Sequence, residues 1–347
     1  MSVELPAVDG VLSADEVAAS AAWIASLQLP DGMIPWFPGG HCDPWNLVET
    51  AMALTVAGRV AEAEAAYAWL ARMQRPDGAW HAYYLPGRVE DDKLDTNVCA
   101  YVATGVWHHW RCTGDEGFLA AMAPVVARAI DFVLSLQTPR GEILWATRPG
   151  GEPWPYALLT GCSSTVHSLR SAVALAQACG EERPDWELAA VRLAEVVAQR
   201  PDAFAPKDRW AMDWYYPVLA GVVTGPAARA RLAERYARFV LPGRGVRCVD
   251  DADWVTAAET AECAIAHAAA GRHDTARELL ALTRAHRRPD GSYLTGLAYP
   301  DAVAFPADET SAYTAAAVIL AADALSGASP AADLFVPADR RPAEDLD

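Results

Sequence analysis

Basic charge is scarce in this chain: 28 Lys and Arg stand against 45 Asp and Glu over 347 residues, a formal charge of −17. A phosphate backbone or an anionic bilayer would be repelled, with no counterion release to drive association, so nucleic acid and membrane surfaces are set aside as partners. The N-terminal stretch MSVELPAVDGVLSADE is acidic and lacks the basic and apolar regions of a secretory signal. No run of about 18 apolar residues suggests a membrane span, and the chain reads as cytoplasmic. Seven cysteines form an odd set without a C-x-x-C pair, which fits packed, reduced thiols better than a disulfide frame or a zinc site. No Gly-rich phosphate loop, G-x-S-x-G or H-E-x-x-H is present. These absences imply neither a metal nor another cofactor.

What the chain does contain is helical periodicity, in Ala-rich segments of two alternating kinds. One kind carries charge on a single face, as in AEAEAAYAWLARMQ from Ala61 and DTARELLALTRAHR from Asp274. The other is apolar nearly all round, as in NLVETAMALTVAG, DTNVCAYVATGVWHHW and AAETAECAIAHAAAG. A helix with a solvated face lies outside, and one apolar all round must be buried on most sides. Six of each, strictly alternating, predict an all-α fold, an (α/α)6 toroid in which helical hairpins gain stability by stacking on their neighbours. Gly58, Gly114, Gly225 and Gly271 punctuate the short connections as helix C-caps. No low-complexity linker interrupts the series, so residues 1–347 are expected to form a single domain with an acidic C-terminal tail from about residue 327.

The outer helices end in a repeated signal. WIASLQLPDGMIPWF and WLARMQRPDGAWHAYY are near copies, and FVLSLQTPRGEILW and TRAHRRPDGSYLTGLAY are weaker ones. In each, the turn brings the chain out of the helix, with Gly at a φ > 0 position. Gln28, Gln74 and Gln137 are expected to brace the turns, and the aromatics that follow either pack between repeats or reach the mouth of the toroid.

Aligned on their first turns, the apolar helices share an acid–Thr pair: Glu49–Thr50, Asp95–Thr96, Glu259–Thr260 and Glu309–Thr310. Each acid singly suits a helix N-terminus. Gathered around one cavity, they would raise one another's pKa and supply a protonated acid beside an ionised base. Further acids are interleaved with aromatics in the long loops, at Asp92, Asp213, Asp251 and Asp253. Carboxylates beside flat rings suit a pyranose, whose C–H face stacks on indole while its hydroxyls meet the acids. Trp faces also stabilise a carbocation.

The Gln–Pro–Asp–Gly repeats resemble those of squalene-hopene cyclases and, more distantly, protein prenyltransferase β subunits. The span from Leu94 to Ala146 resembles the (α/α)6 glycosidases of the glucoamylase and glycogen-debranching type. The first resemblance implies a terpenoid cyclase or prenyl-transfer enzyme, but DDAD at Asp250–Asp253 departs from the cyclase order D-x-D-D, and seven Phe are few for a hydrocarbon lining. The second implies a glycoside hydrolase-like enzyme, and that is the leading expectation; a non-catalytic carbohydrate binder on the same scaffold is the remaining alternative. Two carboxyls would flank the bond, about 5 Å apart for retention or 6.5–9.5 Å for inversion. The candidates for those roles are Asp95, Asp251, Glu259 and Glu309, with Glu309 as acid because Tyr313 and the apolar AVAF loop adjoin it in sequence. Trp36, His41, Glu49, Trp80, His81, Tyr83, Asp92, Trp145, Asp213, Trp214, Tyr215, Asp253, Trp254 and Tyr313 are the expected substrate contacts.

Overall fold

A computed structural model describes residues 4–340. Twelve α-helices occur among them: α1 (Ala14–Ser26), α2 (Pro44–Val56), α3 (Val60–Met73), α4 (Thr96–Thr113), α5 (Glu116–Leu134), α6 (Leu159–Ala178), α7 (Pro184–Gln199), α8 (Ala211–Leu219), α9 (Gly225–Phe239), α10 (Ala257–Ala269), α11 (His273–Leu282) and α12 (Ala312–Ser326). Short strands in the long loops form antiparallel pairs: β1 (Tyr83–Leu85) with β2 (Arg88–Asp91), β3 (Leu94–Asp95) with β4 (Ala146–Thr147), and β5 (Val240–Leu241) with β6 (Gly245–Val246). A three-stranded sheet joins β7 (Trp254–Thr256), β8 (Gly296–Ala298) and β9 (Val303–Ala304) in that order.

The chain divides into two compact units. One comprises Ile24–Thr55 and Arg59–Lys207; the other takes the residues up to Trp23, Val56–Gly58 and the chain from Asp208 on. In the first, α4 packs along α6, and α2 meets α4 where Thr55 Oγ1 lies 2.8 Å from His109 Nδ1. The helices α3, α5 and α7 keep exposed faces. In the second, α10 packs against α8, α11 and α12. Its residues Ala257, Ala261, Ala264 and Ala268 are fully buried, small side chains that let the neighbouring helices approach.

The repeated turns show why their sequence is what it is. Gln28 Nε2 donates to the Gly32 carbonyl at 3.1 Å and to Glu62 O on α3 at 2.8 Å. Gln74 does the same to Gly78 O and Val125 O on α5, and Gln137 to Gly141 O and Ala189 O on α7. Each amide thus ties its own turn to a carbonyl of the next outer helix. In the weakest copy Arg287 replaces the glutamine and reaches Glu16 O on α1. At Gly78, φ is +88° and an added Cβ would lie 2.1 Å from Arg128 O on α5, so both the backbone and the close approach require glycine.

Three expectations are corrected. Gly225 opens α9, and the turn after α8 falls instead on Gly221 at φ +65°. Helix α5, at 19 residues, is long and apolar enough to cross a membrane; it packs on α4 and α6 as a partly buried outer helix. The chain after Gly327 packs back rather than trailing away: Ser329 Oγ donates to Asp323 Oδ2 at 2.6 Å and Val336 is fully buried. Residues 341–347 of the expected tail lie outside the described residues.

Candidate active site

The long loops lead into the first turns of α2, α4, α8, α10 and α12, and carboxylates collect there in each unit. Asp43 stands just before α2, where the Asn46 N–H donates to its Oδ1 at 2.9 Å and the Asn46 amide to its Oδ2. One and a half turns on, Glu49 is the sixth residue of α2. It is 6% exposed and accepts the phenolic hydrogen of Tyr101 on α4, and Trp45 stacks on Tyr101 with ring centroids 3.7 Å apart. Burial raises the Glu49 carboxyl to about 7, against the opposing effect of the Tyr101 hydrogen bond. Burial likewise raises Asp43, opposed by the Asn46 hydrogen bonds and by His41.

Asp95 caps α4, accepting from Asn97 N and Val98 N. It is raised by burial, with Lys93, 3.7 Å away, and the Trp145 indole opposing. Lys93 Nζ also lies 4.4 Å from the Trp145 ring centre. Tyr83 belongs to this group: burial, then the charges of Asp43 and Asp95, push its phenol to about 12. Its ring lies 4.4 Å from His41 and 6.5 Å from Trp36, and His41 Nδ1 is 3.2 Å from Glu90. The first unit therefore offers buried carboxyls, one of them half protonated near neutrality, beside half-buried rings.

The second unit repeats the carboxylate–phenol arrangement at Glu262. Tyr215 on α8 donates to Glu262 Oε2, and Tyr313 on α12 to Oε1 at 2.6 Å. Glu262 is 5% exposed and is the sixth residue of α10, as Glu49 is of α2. Both carboxyl oxygens of Glu262 thus accept from a phenol.

The remaining expected residues are placed as follows. Glu259 accepts from Thr256 Oγ1, and Glu309 from Thr295 Oγ1 at 2.9 Å; both are half-buried. Tyr313 donates to Glu262, and Val303 and Phe305 of the AVAF loop, expected to cover Glu309, are exposed. Asp251 and Asp253 are exposed and paired to Arg209 at 2.8 Å and Arg247 at 2.7 Å. The Arg209 hydrogen bond lowers Asp251, the wrong direction for a proton donor near neutrality. Asp92 is exposed and paired to Arg148. The His81 ring is held by Arg75 and by Asp92 O.

Trp80 and Trp214 are core residues, not substrate platforms: both are sealed from solvent, with indole N–H groups donating to Leu70 O and Arg231 O. Tyr215 is equally buried, its hydroxyl directed at Glu262. Asp213 is buried on α8, where Arg231 binds its backbone carbonyl at 2.6 Å. Trp254 is half-buried and donates to Phe305 O.

Sequence reasoning passed over Asp43, Trp45, Tyr101 and Glu262. A signal for Glu262 was present. Glu49 precedes Gly58 by nine residues and Glu262 precedes Gly271 by nine. Alignment on the first turn instead matched Glu49 with Glu259, three residues out of register.

No family model matches the chain. Among solved structures, a glycosidase in complex with glucose superposes with a TM-score of 0.70 at 16% identity, covering 89% of this chain and 95% of that one. A D-mannose isomerase gives 0.68 at 14% identity, over 89% and 96%. The cellobiose 2-epimerase of Spirochaeta thermophila gives 0.66 at 12%, over 89% and 95%. These likenesses show the fold, the all-α (α/α)6 toroid class, and by themselves do not select among hydrolysis, isomerisation and epimerisation. Sequence does select: the MMP endo-(1,4)-3-O-methyl-α-D-mannosidase of Mycolicibacterium hassiacum is 52% identical over 331 residues, 95% of this chain and 92% of that protein. The chain belongs to the family of that mannosidase and is a glycoside hydrolase-like enzyme.

Proposed function

We propose that the protein is an endo-acting glycosidase that hydrolyses α-(1,4) bonds between 3-O-methyl-D-mannose units, as the name of its relative describes for that protein. Glu49 is the proton donor. The observation that carries this role is its buried carboxyl, raised to about 7 and oriented by Tyr101. Near neutrality such a group is protonated often enough to donate to a departing glycosidic oxygen and ionised often enough to be reset. Glu262, held by two phenols, is the corresponding candidate of the second unit.

Support for a carbohydrate ligand comes from Tyr83, Trp36 and Trp145, half-buried rings grouped with Asp43 and Asp95, the surroundings a pyranose requires. The test is direct. Purified protein is incubated with a 3-O-methylated α-(1,4)-mannan and with an unmethylated one, and the products are sized. Shortened oligosaccharides from the interior of the chain, absent with Glu49→Gln, are the expected result. Release of monosaccharide alone from chain ends would overturn the endo assignment, and undiminished cleavage by Glu49→Gln would overturn the role of Glu49.

A further inference from the structure

The segment after β8 holds two apolar side chains out in water. Val303, which opens β9, and Phe305, which follows its end, are 59% and 57% exposed. The backbone on both sides is strained to do this: Ala302 and Asp308 adopt φ of +55° and +54°, the left-handed region that residues bearing a Cβ resist. Trp254 braces the arrangement. Its indole N–H donates to Phe305 O at 2.9 Å and its ring meets the Phe305 ring edge-on at 5.6 Å. Gly296 is bare to admit it, since a Cβ there would lie 2.2 Å from Trp254 Nε1. Backbone strain and a supporting indole are not needed to leave two side chains in solvent, where a polar residue would serve as well.

The ledge is continuous with the candidate site of its unit. Strand β7, which contains Trp254, runs directly into α10 and Glu262, and the chain beyond Phe305 passes Glu309 to reach Tyr313 on α12. The exposed apolar face therefore lies at the helix ends that carry the Glu262 group.

We infer that Trp254, Val303 and Phe305 form a subsite for the methyl-ether face of a 3-O-methylated mannan chain, an inference that rests on the function proposed above. Each methyl takes the place of a hydroxyl hydrogen, removing a donor and adding an apolar group, and a polymer so modified has surface that leaves water favourably against Phe and Val. An unmethylated chain presents hydroxyls there and gains nothing.

The test uses a Val303→Ser/Phe305→Ser double variant of the full chain, with both mannans as substrates. The expected result is a KM for the methylated polymer raised about tenfold, with kcat and the KM for the unmethylated chain unchanged. An unchanged KM for the methylated polymer, or an equal rise for both substrates, overturns the subsite. So does a change in sedimentation coefficient, which would mark the face as a contact between copies. If wild-type protein cleaves neither mannan, the functional reading fails separately, and the ledge is still judged by electrophoresis through a gel containing the methylated chain: retardation lost in the variant supports it, and equal retardation overturns it.

Discussion

The phenol of Tyr101 on α4 donates to the carboxyl of Glu49 on α2, and Trp45 lies flat against the same phenol ring. That hydrogen bond favours the ionised form of Glu49, against burial, which favours the neutral form. Removing it must move the carboxyl upward. Tyr101→Phe is therefore expected to shift the alkaline limb of the kcat/KM profile to higher pH from its wild-type position near 7. A limb that stays in place in Tyr101→Phe would separate Tyr101 from the titrating group.

Glu49 also links stability to pH. Its folded value, about 7, lies above its ordinary 4.5. Below 4.5 the group is neutral in folded and unfolded chains alike, and its stabilising contribution is fully present. Between 4.5 and 7 the unfolded chain ionises first, so the contribution is lost as pH rises. Glu49→Gln, which cannot ionise, should gain on wild type by roughly 3 kcal/mol between pH 4.5 and pH 8. Urea unfolding of both proteins at the two pH values measures it, and a pH-independent difference would refute the linkage.

Tyr215 and Tyr313 bracket Glu262. Replacing either by Phe keeps the ring and leaves one carboxylate oxygen without that donor, a loss of about 1–3 kcal/mol per buried hydrogen bond. Each variant is expected to lower kcat/KM on the methylated mannan by at least about tenfold, with its circular dichroism spectrum intact. Full activity in both would remove Glu262 from the machinery.

Asp251, exposed and paired to Arg209, should be dispensable. Activity of Asp251→Asn within about twofold of wild type is the expected outcome, since a surface ion pair contributes little. A hundredfold loss would return Asp251 to the site.

The repeated turn can be tested without any substrate. Gly78→Ala adds a Cβ where φ is +88° and Arg128 O would be 2.1 Å away. A destabilisation above about 2 kcal/mol is expected, read from the denaturation midpoint. An unshifted midpoint would mean that the turn and α5 separate at no cost.

The structure bears out the parts of the fold that depend on near neighbours in the chain. The helices follow from apolar periodicity, and the Gln braces from a five-residue signal whose partners lie on the next outer helix. The candidate site was harder to read. Trp80 follows a repeated turn as Trp36 and Trp145 do, yet it is sealed in the core. Whether an indole is packed or presented depends on which helix covers it, and local sequence does not say.

Periodicity and punctuation determined which segments become helices, because backbone hydrogen bonds and turn preferences act over three or four residues. Tertiary structure alone decided that Glu49 meets Tyr101, 52 residues away, and that Glu262 rather than Glu259 meets Tyr215 and Tyr313. A shift of three residues along α10 moves a carboxyl by almost one turn. The phenols it meets there are supplied by distant parts of the chain.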